Sequence, residues 1–389
     1  MLYLDHAATT PPYDEVIDSI TEVMRKFYGN PSSLHQLGVE AERLLIKAKE
    51  LIASTLAVKP SEIVLTSGGT ESNNLAVKGV AYQHRGRGNH LITSQIEHPS
   101  VLEVFRELEK EGFRVTYLPV DDTGQVIVQA LQEALCDQTI LVSIMHVNNE
   151  MGRIQPIHTI GKILAGYPKV IFHVDAVQSI GKLQVKPHEL GVDLMSASAH
   201  KFRGPKGVGF LFRREGLLIK PQLIGGGQEQ GLRSGTENVP LIVGMAKALR
   251  MTTEHLDAAI KHKYELRQIL KEGIRDIPAL ILTGAEQEAE MAPHIVHFCF
   301  PGMKSEVVVH ALEKHQYYIS SKSACSSEEL KPSDVLTALG YDRDRASSGL
   351  RVSFAETCSI DEMKGFVQKL QQTVQGLQGA ARIRGERKL

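Results

Sequence analysis

The sequence predicts an α/β fold in which a large domain with a mostly parallel, doubly wound sheet is joined to a smaller α/β domain. Three observations favour this fold. Short apolar runs alternate with helical segments between residues 63 and 212, which is typical of βαβ units. Polar or glycine-containing turns follow several of these runs, as at the carboxyl ends of parallel strands that bind ligands. The length of 389 residues is enough for one large and one smaller domain.

The amino-terminal elements follow from hydrophobic periodicity. Leu2–Leu4 predicts a short extended segment, and Val16–Phe27 and about Gly38–Leu56 have the apolar spacing of helices. Apolar runs then predict strands at 63–66, 90–93, 114–117, 140–144, 170–174 and 208–212. One further sheet element is expected just before Lys201.

The carboxyl-terminal part predicts the smaller domain. A helical stretch, with breaks allowed for, runs from Pro240 to about Ile274, and we place a boundary near His255. We therefore expect a large domain at 15–254 and a small domain made of 1–14 and 255–389. Strands are expected at 295–300 and 348–354 and a helix at 359–377, while the basic segment 381–389 is expected to be a mobile tail.

Composition and charge exclude several classes of function. The net charge of −1 gives no general attraction to nucleic acid or to a membrane surface. No apolar stretch is long enough to cross a bilayer, and the amino terminus lacks a signal-peptide pattern, so we expect a cytoplasmic protein. The four cysteines are scattered without the spacing of a metal site, which favours reduced thiols.

Lys201 is the first candidate for chemistry. It lies among small residues, next to His200, and just before the turn Gly204–Gly207. Small neighbours and a following turn leave room for a bulky group. A lysine amine can form a Schiff base with an aldehyde, and pyridoxal phosphate (PLP) is the usual one. A solvated loop lysine is the ordinary alternative, and only partners elsewhere in the chain favour the cofactor.

The ends of the predicted strands supply such partners. Gly68–Thr70 open a helix with free N–H groups, which suits a phosphate, although a plain helix start has the same pattern. His98 follows the second strand and can lie flat on an aromatic ring, and Asn149 follows the fourth and offers an amide. Asp175 ends the fifth strand, where a carboxylate suits a protonated pyridine nitrogen. The alternative is that Asp175 caps a helix at Ala176.

Two residues of the carboxyl-terminal part are further candidates. Cys325 lies in a polar loop of small residues, and an exposed thiol in such a loop is reactive. Cys299 lies in an apolar strand and should be buried and inert. Arg351 lies in a strand-like run and can bind a substrate carboxylate through two parallel hydrogen bonds, or else form a surface salt bridge.

The motifs, in the order in which they occur along the chain, resemble those of NifS-type cysteine desulfurases. These are PLP enzymes of the class V aminotransferase family. They have the aspartate aminotransferase fold, which is PLP fold type I. The resemblance covers nearly the whole chain. The motifs are Tyr-Leu-Asp-His-Ala-Ala-Thr-Thr at 3–10, Gly-Gly-Thr-Glu-Ser-Asn-Asn at 68–74, Glu-His-Pro-Ser at 97–100, Asn-Asn-Glu-Met-Gly at 148–152, Asp-Ala-Val-Gln at 175–178, Ser-Ala-His-Lys at 198–201, a glycine-rich run at 225–236 and Ser-x-Ser-Ala-Cys at 321–325.

The resemblance implies a role for each candidate. Lys201 would bind PLP as an imine, His98 would stack on its ring and move protons, and Asp175 would pair with its pyridine nitrogen. Arg351, together with Asn149, would hold the substrate carboxylate. Residues implied to contact the ring hydroxyl side are Gln178 and Asn149, and those implied to hold the phosphate are Gly69, Thr70, Ser198 and His200. Thr236 would reach the cofactor of a neighbouring subunit, which implies a homodimer with shared sites.

The implied reaction converts L-cysteine to L-alanine and leaves the sulfur as a persulfide on Cys325. The persulfide would pass to an acceptor protein, either an iron–sulfur scaffold or an enzyme that thiolates tRNA or a cofactor. Whether Cys325 transiently binds an iron–sulfur cluster stays open, and no resident metal site is predicted. A selenocysteine lyase and a PLP aminotransferase are the enzymatic alternatives, and a non-catalytic scaffold is the third.

Overall fold

The structure is a computed structural model that describes residues 1–321 and 332–386. Within these residues it contains twelve strands and twelve α-helices. The strands are β1 Leu2–Tyr3, β2 Ile63–Thr66, β3 His90–Ser94, β4 Arg114–Leu118, β5 Thr139–Met145, β6 Ile171–Asp175, β7 Leu194–Ser198, β8 Gly209–Arg213, β9 Ile281–Leu282, β10 Ile295–Cys299, β11 Tyr317–Tyr318 and β12 Gly349–Ser353. The helices are α1 Asp14–Lys26, α2 Gln36–Leu56, α3 Gly69–His84, α4 Pro99–Lys110, α5 Val128–Ala134, α6 Ile157–Leu164, α7 Val239–Glu254, α8 Leu256–Arg275, α9 Ser305–Glu313, α10 Asp334–Ala338, α11 Arg343–Ser347 and α12 Ile360–Glu386.

A seven-stranded sheet organises the first two thirds of the chain, with the strand order β2-β8-β7-β6-β5-β3-β4. The pairs from β7 to β4 are parallel. β8 is antiparallel to both of its neighbours, so β2 points in the same direction as β7. The carboxyl ends of β2, β3, β5, β6 and β7 therefore meet at one edge of the sheet, which is where ligands bind in folds of this kind.

Both faces of this sheet are buried. Successive residues of a strand point to opposite faces, and in β5 and β6 both faces are apolar. Leu141 and Ile171 pack in the cluster to which α3 and α4 contribute. Val142 and Phe172 pack in a second cluster, to which α6 and α7 contribute. Helices on both faces explain why these strands are continuous apolar runs and not alternating ones.

The carboxyl-terminal part has a smaller antiparallel sheet with the order β12-β10-β9. Its apolar side packs with α8 and α12 in a third cluster, which includes Leu4 from the amino terminus. β1 pairs with β11, and the backbone of Asp5 forms a bridge to Ser353 in β12. The amino-terminal segment therefore lies against the carboxyl-terminal part, beside the edge of the large sheet. The division of the chain at 254 stays a prediction.

Most predicted elements lie within a few residues of the observed ones. The helical stretch from Pro240 to Ile274 is among them, with its break at His255, whose backbone angles are not helical. Two elements differ. β7 is an internal strand whose bounds the sequence did not indicate. The last helix continues to Glu386, through most of the segment expected as a tail. No helix of the described residues has both the length and the apolar character needed to cross a bilayer.

Gly161 and Gly376 provide a test of the packing that supports the sheet. Alanine normally stabilises a helix by about 0.5–1 kcal/mol relative to glycine, so Gly376→Ala, at an open position of α12, should raise the free energy of unfolding by that amount. At Gly161 in α6, a Cβ would overlap the carbonyl oxygen of Leu190. Gly161→Ala should therefore lower the free energy of unfolding by about 1–3 kcal/mol, as measured by urea unfolding. An increase for both variants would show that α6 does not pack as closely as described.

Candidate active site

A cavity of about 160 Å³ opens at the edge where the strand ends meet. Ten of the twelve predicted site residues line it. They are Gly69, Thr70, His98, Asn149, Asp175, Gln178, Ser198, His200, Lys201 and Arg351. The fold thus brings together residues that are up to 282 positions apart in the sequence (69 to 351), while their individual roles stay predictions.

Lys201 reaches this cavity from a short turn that follows β7. Its Nζ donates hydrogen bonds of 2.8 Å to the carbonyl oxygens of Ala7 and Ala8. The amino-terminal segment thereby forms one wall of the cavity. Lys201 is not a solvated loop lysine, because its amine is directed into a lined cavity and bound by main-chain oxygens.

A continuous set of hydrogen bonds joins Asp175 to His98. The amide nitrogen of Asn73 donates to Asp175 Oδ2 at 2.8 Å and to Ser100 Oγ at 2.9 Å. Ser100 Oγ lies 2.8 Å from His98 Nδ1, and the Ser100 backbone N–H also donates to that atom. The other oxygen of Asp175 accepts from the N–H of Val177. No helix begins at Ala176, so Asp175 does not cap one.

This network fixes the tautomer of His98. Because Nδ1 accepts the Ser100 N–H, a neutral ring carries its proton on Nε2. Burial lowers the pKa of His98, and the charge of Lys201 adds to this, whereas Asp175 opposes it. His98 is therefore neutral near pH 7, with Nδ1 committed to Ser100 and Nε2 available for proton transfer.

The amino end of α3 has the features of an anion site. Gly68 has a φ of 149°, a backbone conformation that favours glycine, and a Cβ on Gly69 would lie 2.8 Å from the Val177 side chain. Gly69 and Thr70, the first residues of this 16-residue helix, line the same cavity as Ser198 and His200. Burial lowers the pKa of His200 to about 3, so its ring is neutral and can donate one hydrogen bond to a phosphate.

Arg351 also lines the cavity and is only 1% exposed. One guanidinium nitrogen donates to the backbone oxygen of Asn149 at 2.7 Å, and the other forms an ion pair with Asp5 Oδ1 at 2.7 Å. Its Nε is buried and has no hydrogen-bond partner among the described residues. Arg351 is therefore not part of a surface salt bridge, and two of its five N–H donors are used by these contacts.

These groups fit PLP. The amine of Lys201 suits the aldehyde, the anion site at α3 suits the phosphate, and the carboxylate of Asp175 suits the pyridine nitrogen. Asn73 supports this fit independently, because its buried Oδ1 has no partner in the described part of the chain, which is common where a ligand completes a site.

Two predicted residues do not line the cavity. Thr236 is exposed and lies outside it. Cys325 lies outside the described residues. Of the other cysteines, Cys299 is buried, as expected, and burial raises its pKa to about 11.

The sequence analysis missed four residues that shape the site: Asp5, Asn73, Glu97 and Ser100. Asp5, Asn73 and Ser100 belong to motifs at 3–10, 68–74 and 97–100, but spacing alone does not reveal which side chains meet. Glu97 is 3% exposed, and its Oε1 accepts from Ser94 Oγ and from the N–H of Met145. Burial raises its pKa to about 8, and the charge of Asp175 adds to the effect.

Comparison with known proteins identifies the family. The family model of aminotransferase class-V matches residues 2–366. The chain belongs to the aminotransferase class-V family. It is 44% identical over 94% of its length to a NifS/IcsS protein homolog of Lactobacillus delbrueckii subsp. bulgaricus (95% of that protein), and 41% identical over its full length to the cysteine desulfurase IscS of Dictyoglomus turgidum (98% of that protein). A solved NifS-like protein superposes with a TM-score of 0.90 at 38% identity, covering 96% of this chain and 99% of that one.

These similarities settle two predictions of the sequence analysis. The fold is the type I fold of PLP enzymes, and the cofactor of this class V protein is PLP. The resemblance to NifS-type proteins, on which both predictions depended, is also confirmed.

The raised pKa of Glu97 predicts how the stability of the protein changes with pH. A folded-state pKa of about 8 exceeds the ordinary value for a glutamate, so between these values the folded protein holds a proton that the unfolded chain releases. The titration of Glu97 therefore lowers the free energy of unfolding as the pH rises, by at most about 1.4 kcal/mol per pH unit. Glu97→Gln removes the titration. Urea unfolding should show the variant gaining stability relative to the original protein between about pH 5 and about pH 8, and parallel pH profiles would contradict a protonated Glu97.

Proposed function

We propose that this protein is a PLP-dependent cysteine desulfurase that converts L-cysteine to L-alanine and passes the sulfur through Cys325 to an acceptor protein. The observation that carries the proposal is that Lys201, Asp175 and Arg351 line one cavity. An amine for the cofactor, a carboxylate for its ring nitrogen and a guanidinium for an amino acid are thus within one site. Relatives named cysteine desulfurase are similar to this chain over its full length, which favours L-cysteine as the substrate.

Each of the cavity residues named below has its own role in the proposed reaction. When bound, PLP supplies an electron sink that stabilises negative charge at the α-carbon of the substrate. Asp175, held in place by Asn73 and Val177, keeps the ring nitrogen protonated. Lys201 Nζ would hold the cofactor, and its amine would move protons at the α-carbon of the substrate. His98 Nε2 is the second group that moves a proton, because Nδ1 is bound to Ser100.

Arg351 orients the amino acid. Its Nε is the buried donor without a described partner, and its other nitrogens are fixed by Asn149 and Asp5. A guanidinium fixed at two nitrogens loses little freedom when a carboxylate binds. The substrate carboxylate would therefore be held in one orientation, in the same cavity as Lys201.

The anchors of that segment support a role for Cys325. Ser320 exchanges backbone hydrogen bonds of 2.8 and 3.1 Å with Arg351, and Ser333 Oγ donates to Glu150 at 2.6 Å. Both anchors thus lie beside residues at the cavity. Cys325 follows Ser320 by five residues in the sequence, which supports a role for its thiol in the chemistry of this cavity.

The proposed sulfur step uses the Cys325 thiol. The Cys325 thiolate attacks the substrate sulfur, an S–S bond forms as the substrate C–S bond breaks, and the carbon product leaves as alanine after it takes up a proton. The persulfide then passes to an acceptor, which we expect to be an iron–sulfur scaffold or a thiolation enzyme. A thiol that must stay reduced favours a cytoplasmic location.

We also propose that the enzyme is a homodimer in which Thr236 completes the partner's site. Thr236 is exposed and lies outside the cavity of its own chain. The neighbouring segment exposes the apolar side chains of Leu218, Leu223 and Ile224, which supports an interface at this surface.

Cys325→Ser and Lys201→Ala test the reaction as a matched pair. Cys325→Ser should keep the visible absorption of the bound cofactor and lose alanine formation from L-cysteine by at least about 100-fold, because the sulfur has no acceptor. Lys201→Ala should lose the absorption itself. Alanine formation by Cys325→Ser at the original rate would contradict the proposal.

Shared sites predict complementation between two variants whose homodimers each retain well under half of the original activity. In a heterodimer of Lys201→Ala with Thr236→Ala, one site has both substitutions and the other has neither. Co-expression and tandem purification of this heterodimer should recover about half of the original activity. Failure to exceed the two variant homodimers would contradict sites shared through Thr236.

A further inference from the structure

The side-chain amide of Gln178 is bound at both of its ends. Its Oε1 accepts a hydrogen bond of 3.1 Å from Lys182 Nζ, and its Nε2 donates one of 2.8 Å to the backbone oxygen of Ala7. With the amide flipped, Nε2 would face an amine donor and Oε1 would face a carbonyl acceptor. The two contacts therefore select one orientation of Gln178, a residue that lines the cofactor cavity.

The burial of the Lys182 amine beside Gln178 is energetically unfavourable. It is 5% exposed, and burial and the charge of Lys201 lower its pKa. The neighbouring carboxylate, Glu356, is bound to Lys263 at 3.0 Å. In the part of the chain that the structure describes, Gln178 Oε1 is the hydrogen-bond acceptor of Lys182. Because a buried amine without a carboxylate partner is destabilising, stability alone would favour an apolar side chain here.

The far side of Lys182 borders a second, small cavity of about 20 Å³. Most of the titratable groups around it are cationic or neutral, and His294 has two buried ring nitrogens without a described partner. An experiment must therefore distinguish the effect of the Lys182 charge from the effect of its hydrogen bond to Gln178. The titratable and charged residues that line this cavity with Lys182 are His6, Lys201, Arg203, Lys263, His294 and Glu356.

We propose that Lys182 is a positioning residue that acts through Gln178, holding its amide so that Nε2 presents a hydrogen-bond donor to bound PLP. The inference rests on the proposed function only for the identity of the cofactor. Without the amine, Oε1 is a buried acceptor without a donor, which is unfavourable. The amide then leaves its place to find another donor, and the cofactor loses a contact.

Release of the cofactor from the holoenzyme tests this role without any sulfur chemistry. Lys182→Met fills a similar volume and removes the donor. The holoenzyme should release PLP about three- to tenfold faster, the range expected for one hydrogen bond, as followed by the decay of its visible absorption. An unchanged release rate overturns the proposal. Because this readout does not involve Cys325, it remains interpretable if the desulfurase assignment fails.

Two controls separate positioning from charge and from general damage. Lys263→Met removes an equally buried cation from the same small cavity but has no contact with Gln178, so its release rate should stay within about twofold of the original. In a Gln178→Leu background, Lys182→Met should have no further effect, because the residue through which it acts is gone. An equal acceleration by Lys263→Met, or a full Lys182→Met effect in the Gln178→Leu background, overturns the proposal.

Discussion

The site depends on one constraint, namely that the parallel strands of the large sheet end at the same edge. β2, β3, β5, β6 and β7 deliver an anion site, a histidine, an amide, a carboxylate and a lysine to that edge. These groups come from segments far apart in the chain, and only the strand order makes them neighbours. The apolar layers on both faces hold the strands in register, so the packing core of the protein also sets the geometry of its chemistry.

The amino-terminal segment gives this edge its second wall. The carbonyl oxygen of Ala7 accepts hydrogen bonds from both Lys201 and Gln178, and Asp5 pairs with Arg351. A segment without helix or long strand thus binds residues that we propose to hold the cofactor and the substrate. Its place is fixed by the pairing of β1 with β11, which explains why residues at the two ends of the sequence meet at one site.

Much of the fold and most of the cavity could be predicted from sequence. Apolar runs bounded by turns located the strands, and residues that follow strands, such as Asp175, were found because parallel strands share an edge. Asn73 and Ser100 could not be assigned roles, because their contact joins α3 to α4 and depends on how two helices pack. Lys182 and Glu97 are ionisable residues within buried segments, and composition gives no sign that a charged side chain will be enclosed. Thr236 shows the limit of a single chain, because its proposed role needs a second copy.

The central claim is that Lys201 is the lysine that binds the cofactor. Borohydride treatment of the holoenzyme, followed by mass spectrometry of its peptides, tests this directly, since reduction makes a lysine-bound cofactor permanent. The account predicts that the cofactor mass is found on the peptide that contains Lys201. Its presence on a peptide with another lysine, such as Lys182 or Lys206, would contradict the account.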